Sequence, residues 1–95
     1  MENLTLCVIY TAYPGMRESF IQDVLASGAL EKIRCEDGCI VYQYFRCVEN
    51  EDQILLLEKW STEEQQKMHL NQPHMEMIKA IKERYIVDTR LERVS

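Results

Sequence analysis

The stretch that decides the fold is CIVYQYFRCVENEDQILLLEKWS, residues 39–61, in which the acidic segment ENED separates two apolar runs. Both runs are rich in β-branched, aromatic and other large apolar residues, a composition that favours strands. The short polar segment between them is long enough for a hairpin connection. The stretch therefore predicts two antiparallel strands.

Both faces of this strand pair are apolar. Because successive side chains of a strand point to opposite faces, Ile54, Leu56 and Trp60 share one face, while Leu55 and Leu57 share the other. A sheet with one face in water alternates more cleanly between apolar and polar residues. The first strand repeats the division, with Ile40, Tyr42 and Tyr44 on one face and Val41 and Phe45 on the other.

The rest of the chain predicts one more strand and a helix before this pair, and helices and a strand after it. LTLCVIYTAY reads as a strand that ends at Pro14-Gly15, and an amphipathic helix follows from Met16 to about Ala26. ALEKIR adds a further helical turn or two before the turn EDG, where Gly38 suits a positive φ. After the pair, Ser61 and Glu64 predict a capping box that starts the next helix.

Pro73 interrupts that helix and fits the first turn of a new one. YIVDTRLERV then predicts a last strand at a sheet edge. The resulting order, βαββαβ, predicts an α+β, ferredoxin-like fold with a four-stranded antiparallel sheet and helices on one face. Because the helices can cover only one of the two apolar faces, we expect a second copy to cover the other, giving a homodimer.

Composition limits the class of protein. Ninety-five residues, of which 46% are hydrophobic and 28% charged, predict a single domain over residues 1–95. A net charge of −5 without a Lys/Arg cluster argues against nucleic acid as a partner. No apolar run approaches the length of a membrane span of about 18 residues, and the start lacks the pattern of a signal peptide, so the sequence predicts no membrane association and a cytoplasmic location.

The four cysteines, Cys7, Cys35, Cys39 and Cys47, are interpreted as reduced thiols of an intracellular protein. Cys35 and Cys39 flank the turn EDG, but no second Cys/His pair lies near them to complete a zinc site. We therefore expect packing or turn roles for these residues and predict no metal site.

The segment KWSTEEQQKMHLNQPHM, residues 59–75, contains the only tryptophan and both histidines of the chain. For His69 the alternatives are catalysis or substrate contact, and packing near the end of a helix, where a positive charge is favourable. His74 follows Pro73 and is expected to serve structure more than substrate binding. Trp60 is expected to anchor a core or an interface, with the wall of a substrate site as the alternative.

Four further residues have two possible interpretations each. Tyr42 and Tyr44 share a face, and burying both hydroxyls requires partners or a polar cavity. Arg46 continues that row, where it could bind a substrate oxyanion, although a surface ion pair is expected. Glu58 could be a buried carboxylate with a raised pKa, although we expect it to be exposed.

The segments DGCIVYQYF, LLLEKW and KWSTEEQQKMHLNQPHM together resemble the antibiotic-biosynthesis monooxygenase family, the quinol monooxygenase-like proteins of bacteria. A tryptophan after strand three followed by an H-L-x-x-P-H segment carries the resemblance, which spans nearly the whole chain. It implies a dimeric α/β barrel and a cofactor-independent oxygenase that acts on quinols or other polycyclic phenols with molecular oxygen. That reaction needs a general base and an aromatic cavity. The resemblance implies His69 as the candidate base, Trp60, Tyr42, Tyr44 and Phe20 as candidate walls, and His74 as a further substrate contact.

The family also contains haem-degrading enzymes, whose asparagine on strand one and tryptophan on the second helix are absent here. Val8 and His69 occupy those places, and the helix after Pro73 has no histidine beyond His74 at its start. The sequence therefore argues against haem degradation. Two other functions stay open: a non-catalytic dimer that binds a small aromatic or lipid-like molecule, and an isomerase or degrader of a small carbonyl signalling compound.

Overall fold

The computed structural model describes residues 3–95; residues 1 and 2, which the predicted 1–95 domain includes, lie outside the described part. The chain forms four strands and four helices. Their order follows the predicted βαββαβ arrangement, and each of the two predicted helical regions consists of two helices. In chain order they are β1 (Leu4–Ala12), α1 (Arg17–Ala26), α2 (Ala29–Arg34), β2 (Cys39–Arg46), β3 (Gln53–Trp60), α3 (Glu63–His69), α4 (Met75–Tyr85) and β4 (Ile86–Arg93).

The strands form one antiparallel sheet in the order β2-β3-β1-β4. This is the ferredoxin-like α+β arrangement that the sequence predicts. The hairpin of β2 and β3 is confirmed, and β4 lies at an edge, beside β1, as expected. The second edge is β2, which places Tyr42 and Tyr44 in the outermost strand on that side.

One face of the sheet, called here the inner face, carries the core. Alternate residues of β1 and β3 are buried, while the residues between them are only partly covered. The helices supply Phe20, Val24, Ile33 and Ile78 to the same core. On the opposite, outer face Leu55 pairs with Ile9 on one side and with Phe45 on the other, so an apolar row crosses three strands.

Ile40 does not share the inner face with Tyr42, contrary to prediction. The register shifts between Cys39 and Val41, so Ile40 is an extra residue in a β-bulge and its side chain is 49% exposed. Cys39 takes its place on the inner side and packs against the core. A bulge of this kind reverses the face of every residue that precedes it in the strand.

The predicted capping box of Ser61 and Glu64 is wrong by one residue. Thr62, with extended backbone angles, is the N-cap of α3, and its side-chain oxygen accepts a hydrogen bond of 3.1 Å from the backbone N–H of Gln65. The hydroxyl therefore satisfies one of the free N–H groups of the first turn. Gly38 has the positive φ expected of it, at 83°.

Two arginines connect helices to the strand β2. Nη1 of Arg17, at the start of α1, donates to the backbone carbonyls of Cys47, Asn50 and Gln53 in the β2–β3 connection, at 3.1, 3.3 and 3.4 Å. Nε of Arg34, at the end of α2, donates to the carbonyl of Tyr42 at 3.0 Å. The helices are thus fixed to the middle of β2 and to the connection that follows it by hydrogen bonds as well as by packing.

All four cysteines are free thiols. Within residues 3–95, none of the helices has both the length and the apolar character needed to span a bilayer.

Candidate functional site

A cavity of about 260 Å³ lies between β2 and the helices α1 and α2. Its helical side is apolar except for Arg34 at the end of α2, and its other polar groups come from the strand. The residues that line it are Phe20, Ile21, Val24, Leu25, Leu30, Arg34, Gln43, Tyr44, Phe45 and Arg46. An apolar cavity with a few polar groups is the usual form of a small-molecule site.

Tyr44 is the lining residue whose hydrogen-bonding capacity the fold leaves unused. Its hydroxyl oxygen is buried and meets no hydrogen-bond partner in suitable geometry within residues 3–95. Burial raises the pKa of Tyr44 to about 12, and an interaction of its hydroxyl with the nearby hydroxyl of Tyr42, outside strict hydrogen-bond geometry, lowers that pKa in part. The phenol is therefore neutral at physiological pH and free to donate or accept one hydrogen bond. Buried polar groups without partners are rare and call for a functional explanation.

Six rings form a continuous row on the inner face of the sheet. The centroids lie 5.9 Å apart between Tyr10 and Phe20, 5.9 Å between Phe20 and Tyr44, and 6.0 Å between Tyr44 and Tyr42. The row continues over 5.5 Å from Tyr42 to His69 and over 4.7 Å from His69 to Trp60. These spacings are those of tilted and edge-to-face aromatic contacts.

His69 lies at the buried end of this row. Its side chain is 1% exposed, and Nδ1 is 3.0 Å from a carboxylate oxygen of Glu36, just after α2. Nε2 of His74 approaches the same carboxylate at 2.6 Å. A carboxylate at Nδ1 fixes the orientation and tautomer of an imidazole and leaves Nε2 as the basic nitrogen, an arrangement common to general bases.

Glu58 is buried, and the prediction that it is exposed is wrong. It is 6% exposed on the inner face, opposite Tyr42 in β2, and its carboxylate accepts a hydrogen bond of 3.0 Å from Nε1 of Trp60. Burial raises the pKa of Glu58, while the hydrogen bond from Trp60 and the nearby His69 and Lys82 side chains lower it in part. A carboxyl group with a raised pKa in an aromatic interior is typical of a functional site.

Lys82 of α4 faces this interior from the other side. Nζ lies 5.6 Å from the ring centroid of Tyr10, a cation–π distance. Burial lowers the pKa of the Lys82 ammonium, and the charge of Glu58 opposes the change. Burial likewise raises the pKa of Tyr10 and of Tyr42. The apolar core on the inner face therefore also contains buried ionisable groups beside the row of rings.

The predicted site residues fall into two groups. Phe20 and Tyr44 line the cavity, whereas Tyr42, His69 and Trp60 continue the ring row behind it. His74 joins the second group only through Glu36.

Sequence reasoning missed Glu36 and Arg34. Glu36 lies 33 and 38 positions from its two histidines, and no spacing rule relates residues so far apart. Arg34 had no signal beyond its place in the last turn of a short helix. Glu58 could have been recognised, because it has the strand parity of Leu56 and Trp60.

Arg46 makes the expected surface ion pair. Its guanidinium donates to both carboxylate oxygens of Glu18, the shortest contact being 2.7 Å, and both side chains are more than half exposed. In residues 3–95, no group of three or more His, Cys, Asp or Glu side chains is arranged to hold a metal ion.

Comparison with protein families gives one match over most of the chain. The model of the family described as antibiotic biosynthesis monooxygenase matches residues 5–80. That range contains β1 to β3, the cavity and all six rings of the row. No curated protein gives a significant match.

Solved structures with the same fold cover nearly the whole chain. A protein from Pseudomonas aeruginosa has a TM-score of 0.86 at 21% identity, and the match covers 99% of this chain and 93% of that one. A Nitrosomonas europaea protein, provisionally named an antibiotic biosynthesis monooxygenase, has a TM-score of 0.87 at 12% identity, covering 98% and 88%. A conserved protein from Methanosarcina mazei has a TM-score of 0.84 at 21% identity, covering 98% and 91%. At these identities the likeness establishes the fold alone.

Proposed function

Because the chain belongs to the antibiotic biosynthesis monooxygenase family, we propose that it oxidises a small phenol or quinol with molecular oxygen, without a cofactor, in the cavity beside Tyr44. The observation that carries this proposal is the buried Tyr44 hydroxyl, which lines the cavity and has no partner of its own within residues 3–95. A substrate hydroxyl placed in the cavity would supply the missing hydrogen bond. Phe20 offers an aromatic wall for the substrate ring.

The proposed reaction begins with deprotonation of the substrate. An electron-rich phenolate passes one electron to oxygen, the two radicals combine on the ring, and loss of water leaves a quinone. One oxygen atom stays on the product and the other leaves in water. The protein has to hold the ring, exclude water and accept a proton.

We assign the proton acceptor to His69, held by Glu36. His69 does not line the cavity but is linked to it through the rings of Tyr42 and Tyr44. We propose that the proton reaches it by way of these two tyrosines, whose hydroxyls would have to come into hydrogen-bond contact when the substrate is bound. The carboxylate of Glu36 would stabilise the imidazolium that results. His69 is therefore proposed as a residue that acts through the tyrosines, while Tyr44 contacts the substrate.

The test compares oxygen uptake with a panel of quinols in metal-free protein. Tyr44→Phe removes only a hydroxyl that has no internal partner, so its free energy of unfolding should stay within about 0.5 kcal/mol of wild type. Quinol binding should weaken about fivefold, the value of one hydrogen bond. Tyr13→Phe, at an exposed tyrosine outside the cavity, is the matched control and should change neither quantity. Full uptake and binding in Tyr44→Phe would contradict the placement of the substrate.

A second variant tests the proton acceptor. His69→Gln retains a hydrogen-bond donor for Glu36 but cannot accept a proton, so uptake should fall by about two orders of magnitude while binding is retained. Uptake at the wild-type rate would remove His69 from the mechanism without affecting the site itself.

One observation favours a binding protein as the second candidate. The titratable side chains that line the cavity are Arg34, Arg46 and Tyr44, and none of them is an effective base near neutral pH. Tight quinol binding without any oxygen uptake would select this candidate over the monooxygenase.

We also propose that a second copy covers the outer face of the sheet. The inner face already contacts the helices, while the row of Ile9, Leu55 and Phe45 is left with partly or largely exposed apolar side chains. A chain of this size gains stability by burying such a surface. The homodimer would lie close to the cavity, since Phe45 both belongs to this row and lines the cavity.

A further inference from the structure

The charged side chains that line the cavity are both positive. Arg34 and Arg46 line it, and no carboxylate is among its lining residues in the described part of the chain. The whole chain carries a net charge of −5, so this local excess runs against the overall balance. A positive cavity in an acidic protein favours an anionic ligand.

The two arginines are not equivalent. Arg46 is neutralised by Glu18, which accepts hydrogen bonds from both Nε and Nη2. Nε of Arg34 donates a hydrogen bond to the carbonyl of Tyr42. No carboxylate within residues 3–95 comes within ion-pair distance of Arg34. The guanidinium of Arg34 is therefore positioned by the backbone of β2 while its charge remains uncompensated.

Arg34 is also close enough to Tyr44 for its charge to act on that phenol. Its positive charge lowers the pKa of Tyr44 and so opposes the larger effect of burial. The charge of Glu58 acts in the opposite direction, so Arg34 is the one charged side chain of residues 3–95 that favours an anion near the Tyr44 hydroxyl. The two residues reach the cavity from α2 and β2, so a single small ligand could contact both.

The volume of the cavity limits the size of that ligand. Apolar cavities of about 150 Å³ hold one benzene, and drug-sized ligands occupy about 300–1,000 Å³. The value of about 260 Å³ therefore fits one aromatic ring with substituents, or two fused rings. A larger polycyclic phenol would extend out of the cavity, which is open to solvent on one side.

We propose that the cavity takes a phenol or quinol of one or two rings that carries a carboxylate, with the carboxylate bound by Arg34 and a ring hydroxyl bound by Tyr44. This inference rests on the proposed function for the reaction, but its binding part stands separately. Arginine is suited to the role because its planar fork matches a carboxylate in two parallel hydrogen bonds.

The experiment uses a matched pair of ligands, gentisate and hydroquinone, which differ by one carboxylate. Binding to the purified chain is measured by calorimetry under nitrogen, and the measurement is repeated with dihydroxynaphthoate and dihydroxynaphthalene. Gentisate should bind wild type about tenfold more tightly than hydroquinone, because the charge-assisted hydrogen bonds between its carboxylate and Arg34 contribute roughly this factor. Equal affinities in wild type for both pairs of ligands would overturn the proposal.

Three variants locate the effect. Arg34→Gln should abolish the preference for the acid while leaving hydroquinone affinity within about twofold. Arg34→Lys keeps the charge and should retain part of the preference. Arg90→Gln, at an exposed arginine of β4 opposite Ile9, is the control and should leave the preference intact. A preference that survives in Arg34→Gln, or that falls equally in Arg90→Gln, would contradict the assignment of Arg34.

Oxygen uptake separates this inference from the proposed function. Preferential binding of gentisate without uptake of oxygen would leave the ligand class in place and remove the monooxygenase. Oxygen uptake with hydroquinone and gentisate at equal kcat/KM would support the monooxygenase and overturn the preference for a carboxylate. Equal losses for both ligands in Arg34→Gln would assign the arginine to the phenolate rather than to the carboxylate, and would also overturn the proposal.

Discussion

Nδ1 of His69 lies 3.0 Å from a carboxylate oxygen of Glu36, although 33 positions separate the two residues in the chain. The pair joins the turn after α2 to the end of α3. The same carboxylate reaches His74 ahead of α4, so one side chain connects three segments of the fold. Replacing it therefore has consequences for stability that a surface carboxylate does not have.

Glu36→Gln should lower the free energy of unfolding by about 1–3 kcal/mol, because a buried polar network loses its charged acceptor. Urea denaturation followed by circular dichroism measures the change. Glu31→Gln, at an exposed position of α2, should alter stability by less than about 0.5 kcal/mol. Similar losses in the two variants would show that the histidines do not depend on Glu36.

Glu58 should make stability decrease as pH rises. Its pKa in the folded chain is raised above the ordinary value of 4.5 by burial, so above pH 4.5 the unfolded chain releases this proton more readily than the folded chain. The folded state then binds more protons, and the free energy of unfolding falls between 4.5 and the raised pKa. Glu58→Gln keeps an acceptor for Trp60 and removes the titration.

The measurement is the difference in unfolding free energy between Glu58→Gln and wild type, taken by urea denaturation from pH 4 to pH 8. The free energy of unfolding of Glu58→Gln should increase relative to that of wild type as the pH rises. A difference that stays constant over this range would mean that Glu58 titrates alike in the folded and unfolded chains.

Gly38→Ala should destabilise the fold more than Gly15→Ala. Both glycines have positive φ, at 83° and 79°, so alanine is strained at either position. At Gly38 the added Cβ would also overlap with the side chain of Gln65, whereas at Gly15 nothing lies within 4 Å. We expect a loss of about 1 kcal/mol at Gly15 and of about 2–3 kcal/mol at Gly38. Thermal unfolding compares them directly, and equal shifts in Tm would indicate that Gln65 moves aside without cost.

Leu55→Lys should convert the proposed homodimer to a monomer. Leu55 is the central residue of the outer apolar row, with Ile9 and Phe45 as its neighbours across the strands. A lysine there would place two charges in the interface, since symmetry repeats the substitution. Met68→Lys, at an exposed apolar residue of α3, is the matched control. Light scattering after size-exclusion chromatography gives the mass; a monomeric wild type would refute the dimer itself.

The order of elements could be predicted because it depends on local patterns. Runs of apolar residues with strand parity gave β1, β2 and β3 nearly at their observed ends, and the edge position of β4 followed from its mixed alternation. The faces of β3 were correct for the same reason. At Ile40 the same rule failed, because a bulge adds a residue and nothing in the local composition marks it.

The site was less accessible to sequence reasoning because its residues meet through tertiary contacts. Phe20 and Tyr44 were selected as aromatic residues, and the fold brings them to one cavity. For Glu58 two rules disagree. Carboxylates are usually exposed, which predicts exposure, whereas strand parity places this residue on the inner face, and the structure follows strand parity. Here Trp60 provides the hydrogen bond that makes burial tolerable.

The two arginine contacts with β2 have a mechanical consequence. Arg17 fastens the start of α1 to the hairpin connection, and Arg34 fastens the end of α2 to the carbonyl of Tyr42. The cavity lies between these two contacts, which oppose movement of α1 and α2 away from β2. We therefore expect the cavity to change little in shape when a ligand binds, and to select ligands by their size and shape.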